Sequence, residues 1–184
     1  GDGVVDVVLS DLIVLARAAR RERAGLRGRL CPVAVAPPGL ERGPSALADA
    51  NGDGRRDVFA TFVGEPLLGV SLSDPQGRLS RFLFTLDAPA RALALGDFDG
   101  DGTADAALAD DEGRVAAWMG GARLEAGEVR TVGRVEGARE LSVGTAFTGT
   151  SEADGRADVL LFARDEAGAA RAALLEGSAR GRLL

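Results

Sequence analysis

Histidine is absent from the 184 residues. With it go the Ser-His-Asp arrangement, the usual imidazole acid and base, and the histidine ligands of zinc. A single cysteine, Cys31, leaves no internal disulfide and no Cys-x-x-Cys pair. It lies in the apolar run Leu30-Cys31-Pro32-Val33-Ala34-Val35, where a buried small hydrophobe is the expected role. Aromatic residues make up only 4% of the chain against 46% apolar residues overall, so the core has to be built from small and aliphatic side chains. No run approaches the roughly 20 apolar residues of a membrane span, and no basic-then-apolar segment opens the chain. Membrane insertion is not expected. Nor is nucleic-acid binding, because the net charge of −6 repels a polyanion.

Aspartate and glycine are there instead, and they are patterned. In Asp97-Phe98-Asp99-Gly100-Asp101-Gly102-Thr103-Ala104-Asp105, carboxylates occupy the first, third, fifth and ninth positions. Such spacing converges only if the backbone curls around something positive, and a hard cation with six to eight oxygen ligands, calcium above all, suits it. The glycines permit the curl, since they reach positive φ without strain. The same arrangement returns at Asp49-Ala50-Asn51-Gly52-Asp53-Gly54-Arg55-Arg56-Asp57, with Asn51 offering an amide oxygen in place of one carboxylate. Gly1-Asp2-Gly3-Val4-Val5-Asp6 looks like the end of a third copy, and Asp154-Gly155-Arg156-Ala157-Asp158 like the end of a worn fourth.

The fifth-position aspartates Asp2, Asp53, Asp101 and Asp154 follow one another at intervals of 51, 48 and 53 residues. A period near fifty signals an array such as a solenoid or propeller. Each ninth-position aspartate opens a strand-like run: Val7-Val8-Leu9, Val58 to Val63, Ala106 to Ala109, and Val159 to Ala163. Strands after the loop argue against an EF-hand, which needs flanking helices and a bidentate glutamate at loop position 12. Ala60 and Leu108 stand there.

These residues resemble the FG-GAP repeat, also described as the VCBS repeat, of integrin alpha chains and many bacterial surface proteins. The most specific stretch is Leu95-Gly96 followed by the complete loop to Asp105. The resemblance implies an all-β fold, a β-propeller of four-stranded antiparallel blades with the calcium loop joining two neighbouring strands of each. Blades are expected at 1-44, lacking its first strand, and at 45-90, 91-138 and 139-184. This would be a four-repeat segment of a larger propeller, of seven blades as the family most often builds, the alternative being a closed four-bladed ring. The only methionine is Met119 and the chain opens inside a repeat, so a natural start upstream is expected.

Carried over position by position, the resemblance implies Ca²⁺ held by Asp97, Asp99, Asp101 and Asp105 with the carbonyl of Thr103. A second ion would be held by Asp49, Asn51, Asp53 and Asp57 with the carbonyl of Arg55. The outer copies depart from the pattern: only Asp2 and Asp6 remain of the first, and Thr145 and Ala146 replace the opening of the fourth, with Glu152 the only other carboxylate nearby. The implied function is extracellular recognition or adhesion, or a structural scaffold, without catalysis and outside the cytoplasm. Its partner would be a protein or carbohydrate, besides further propeller blades. The alternative is an accessory propeller of an extracellular carbohydrate-active enzyme such as a polysaccharide lyase.

Three other features read as structural. The basic stretch Arg17, Arg20, Arg21, Arg23, Arg27 and Arg29 has no aromatic interleaved to stack a base or sugar, so it is expected to be a solvated insertion. Asp110, Asp111 and Glu112 form a hairpin tip with Gly113, where consecutive carboxylates are expected to face water rather than each other across a cleft. Trp118 is expected to pack between blades.

Overall fold

Aspartate loops followed by apolar runs produce strands and nothing else: among the described residues of the computed structural model there is no α-helix. It describes residues 7–9, 12–15, 29–31, 36–76, 78–121, 124, 129–135, 140–144 and 154–178. The basic stretch before Arg29, the first loop remnant and the opening of the fourth loop lie outside these, as do residues 32–35 and 179–184.

Fourteen strands are described in chain order. They are β1 (Val7–Leu9), β2 (Leu12–Leu15), β3 (Arg29–Cys31), β4 (Arg42–Ala48), β5 (Asp57–Phe62), β6 (Glu65–Ser73) and β7 (Leu79–Thr85), then β8 (Ala92–Gly96), β9 (Asp105–Ala109), β10 (Arg114–Trp118), β11 (Val129–Arg134), β12 (Glu140–Gly144), β13 (Val159–Arg164) and β14 (Ala170–Leu175). They form four antiparallel meanders: β1-β2-β3, β4-β5-β6-β7, β8-β9-β10-β11 and β12-β13-β14. Strand β8 touches both β4 and β12, so the first strands of successive meanders lie side by side. This is the construction of β-propeller blades, and the described sheets do not close into a ring.

Every residue of β5 and β9 is buried, as expected of strands covered on both faces. Alternate residues separate into two seams. Between the second and third sheets lie Phe59, Leu68, Val70, Ala106, Leu108 and Trp118. Trp118 is fully buried there, meeting Phe59 edge-on at 5.6 Å and Phe84 at 5.3 Å, which fulfils the packing role expected of it. Between the third and fourth sheets the seam is mostly alanine: Ala92, Ala94, Ala107, Ala109, Ala117, Ala157 and Ala163, with Phe98, Val115, Val159 and Leu161. The remaining face of β5 buries Val58, Ala60 and Phe62 against Ala36, Leu40, Leu47, Leu67 and Leu79.

Two strands have irregular starts. Strand β4 begins at Arg42, running through Gly43-Pro44 at a bulge. Proline is tolerated because β4 is an edge strand and the register shifts there. Glycine is required because a Cβ at position 43 would lie 2.7 Å from Thr61 Oγ1. Strand β6 starts at Glu65, and the Pro66 carbonyl accepts the Leu86 N–H at 2.8 Å.

Candidate metal centre

Each complete aspartate loop joins the first two strands of a sheet, β4 to β5 and β8 to β9. The first aspartate of each organises the turn by collecting backbone N–H groups. In the third sheet, Asp97 Oδ1 accepts from Gly100 at 2.7 Å and Asp101 at 3.1 Å, and Oδ2 accepts from Gly102 at 2.9 Å. Gly100 and Gly102 have φ of 81° and 86°, the left-handed conformation a side chain would resist.

The ninth aspartate is a buckle. Asp105 is fully buried, with Oδ2 accepting the Phe98 N–H and Oδ1 the Gly120 N–H, each at 2.7 Å. It thereby ties the loop's second residue to the end of β10. Asp57 does the same for Ala50 and Ser73, both at 2.9 Å. In the fourth sheet Asp158 accepts the Gly177 N–H at 3.0 Å. The equivalence of Ser73, Gly120 and Gly177 was not read from the sequence. Its only trace there is a small residue at the end of the third strand of each repeat.

Asp97, Asp99 and Asp105 come together, each offering a carboxylate oxygen within 4.8 Å of the others. Burial raises the pKa of Asp99, and burial pushes Asp105 up to about 7 against two backbone hydrogen bonds that oppose the shift. At such spacing two unit charges repel by about 3 kcal/mol even at an effective dielectric of 20. An all-oxygen set whose charge is uncompensated suits a hard divalent cation. Asp101 is turned elsewhere: its Oδ1 accepts from Thr103 N–H at 2.7 Å and Thr103 Oγ1 at 2.6 Å.

The loop 49–57 has the same backbone and a different interior. Asp49 accepts N–H groups from Asn51, Gly52, Asp53 and Gly54. Asn51 directs its amide nitrogen to Asp53 Oδ2 at 3.0 Å, and Asp53 also pairs with the Arg55 guanidinium. Arg55 Nε reaches the Ser73 carbonyl at 2.9 Å. Burial raises the pKa of Asp57. Among the described residues, no other three carboxylates close to the spacing of the 97–105 cluster. In the fourth copy, Asp154 accepts the Arg156 N–H at 3.0 Å and pairs with its guanidinium at 2.8 Å.

The acidic hairpin corrects an expectation. Asp110 does not face water: it is 7% exposed, accepting the N–H groups of Glu112 and Arg114 on Oδ1 and Arg114 Nε on Oδ2 at 2.6 Å. Asp111 and Glu112 are exposed. Asp74 is bonded alike to Gln76 and Arg78, and Asp165 to Ala167, Ala169 and Arg171. Asp110 and Asp165 hold the hairpin between the second and third strands of their sheets and Asp74 that between the third and fourth strands of the second sheet, and the recurring Asp-x-x-Gly was the available signal.

No helix among the described residues is long and apolar enough to cross a membrane. No curated protein matches the chain. Residues 49–108 run from the first complete loop through the second into β9, and over that stretch the model of the FG-GAP-like repeat matches. The chain therefore carries an FG-GAP-like repeat across residues 49–108.

Proposed function

We propose that the chain is a calcium-binding propeller segment that serves outside the cytoplasm as a non-catalytic recognition or adhesion scaffold for a protein or carbohydrate. The observation that carries this reading is the convergence of Asp97, Asp99 and Asp105 inside an FG-GAP-like repeat. Those three would hold the ion, with the Thr103 carbonyl and, once it exchanges its bonds to Thr103 for the metal, the Asp101 carboxylate completing an oxygen shell. In the second loop, Asp49, Asn51, Asp53 and Asp57 with the Arg55 carbonyl would do so once Asp53 exchanges Arg55 for the metal. Bound calcium supplies positive charge that cancels the buried carboxylates. Short loops of this kind bind weakly, at about 10⁻⁴ to 10⁻³ M in extracellular modules, and that favours a calcium-rich compartment.

Further blades are part of the reading. Phe162 and Leu174 are each 49% exposed on the face of the fourth sheet that points away from the third. Register places them where Thr61, Val70, Ala109 and Ala117 line a seam in the sheets before. An added blade would cover them.

The test is thermal unfolding in millimolar calcium against excess chelator, for the natural chain, Asp101→Ala and Asp53→Ala. Binding to the folded state alone adds about 2.7 kcal/mol per site at a hundredfold excess over Kd. Each substitution should remove part of the rise. Identical midpoints in calcium and chelator would end the reading.

A further inference from the structure

The aspartate loops are bonded to one another in series. The Asp49 carbonyl accepts the Ala104 N–H at 2.7 Å, and the Asp97 carbonyl accepts the Ala157 N–H at 2.7 Å. In both cases the acceptor is the first residue of one loop and the donor is the residue before the buried aspartate of the next. The junctions carry further contacts. Gly121 donates to the Ala50 carbonyl at 3.0 Å, and Arg156 Nε donates to the Asp99 carbonyl at 3.3 Å. The end of β14 also closes on the same place: a Cβ at Gly177 would lie 2.5 Å from the Ala157 carbonyl oxygen and 2.7 Å from that of Phe98.

Residues 97–105 thus supply both the candidate ligands and the bonds to the sheets on either side. Asp97 offers its carboxylate to the cluster and its carbonyl to the fourth sheet, and Ala104 donates to the second from beside Asp105. We propose that the loops form one cooperative belt, in which closing the Asp97/Asp99/Asp105 loop on a divalent cation tightens the seams to both neighbouring sheets. This rests on the calcium reading above. Coupling between two equilibria is reciprocal, so loosening a seam at the belt must weaken the cation by the same factor.

Gly177→Ala isolates the effect. Gly177 contributes no candidate ligand, its φ is not in the left-handed region, and the added methyl has to push against the Phe98 and Ala157 carbonyls. Ala60→Gly is the control. It opens a buried site of comparable size in the cluster on the far face of the second sheet, away from both seams of the belt. Calcium is titrated calorimetrically into the full chain, and the component lost in Asp97→Ala is followed. Gly177→Ala should raise the calcium Kd about fivefold or more, at the lower bound of usual couplings, while Ala60→Gly leaves it within about twofold. Should Gly177→Ala fail to fold, Arg156→Ala removes the Asp99 contact from a side chain 27% exposed and should shift Kd in the same direction. A natural chain that titrates normally beside variants of unchanged Kd overturns the belt alone. A flat isotherm for the natural chain overturns the calcium reading, and the belt with it.

Discussion

Asp105→Asn separates the two duties of the buried ninth aspartate. In the natural chain its pKa rises from 3.8 to about 7, because burial strips solvent from the carboxylate. The folded state therefore holds a proton that the unfolded state has already released. A raised carboxylate stabilises fully below its unfolded pKa, and that contribution drains away as pH climbs through the folded value. At 1.36 kcal/mol per pKa unit, ionising Asp105 without metal costs the fold about 3 kcal/mol between pH 5 and pH 8. Asparagine has nearly the same shape and no charge. Its amide oxygen still accepts one of the Phe98 and Gly120 N–H groups, while the other loses its partner at a cost of about 1–3 kcal/mol. In chelator, the stability difference between variant and natural chain should swing toward the variant by about 3 kcal/mol from pH 5 to pH 8. Urea unfolding followed by circular dichroism at the two pH values measures it, and other carboxylates common to both proteins cancel in the difference. Calcium at pH 8 should restore the advantage of the natural chain. Parallel pH dependences in chelator would refute the account of Asp105 as a buried, uncompensated charge.

Three further substitutions test the packing and the hairpins. Trp118→Ala should cost about 3–5 kcal/mol, because it empties the centre of the aromatic seam. Phe162→Ser on the exposed face should change unfolding of this chain by no more than about 0.5 kcal/mol, and urea midpoints compare the two directly. Asp110→Ala removes the acceptor of two backbone N–H groups and of Arg114, and should lower stability by about 1–3 kcal/mol in a thermal melt. Calcium affinity should stay unchanged in that variant, since Asp110 lies at the opposite end of β9 from the metal loop.

The sheets were legible because the repeat announces its own strand starts. Asp57, Asp105 and Asp158 each stand at or next to the first residue of a second strand. Strand β4 carries Gly43-Pro44, a pair with the chemistry of a turn. The proximity of Thr61, a neighbour in space, explains the glycine, and the edge position with its register shift explains the proline. Asp110 was misplaced for a similar reason: three adjacent acids look solvated until Arg114 folds back on the first of them. The interior of the loops lay beyond spacing altogether. The loops 49–57 and 97–105 share their glycines and four ligand positions, yet Asn51 for Asp99 and Arg55 for Thr103 change which oxygens face one another.

The alanine-lined seam between the third and fourth sheets has a consequence for how these sheets find their alignment. Methyl groups cost no rotamer entropy to bury, so such a face coheres cheaply. They also project too little to interlock, and two smooth faces can slide past each other with small change in contact area. The aromatic seam on the other side of the same sheet is keyed by Trp118 between Phe59 and Phe84. Its alanine counterpart has larger fully buried side chains only at Phe98, Val115, Val159 and Leu161. Registry there falls to the polar end, where the Asp97 carbonyl meets the Ala157 N–H and Gly96 admits the Ala157 methyl at a distance no larger residue would tolerate. One edge of the sheet-to-sheet contact thus works as a latch, and the rest as a bearing.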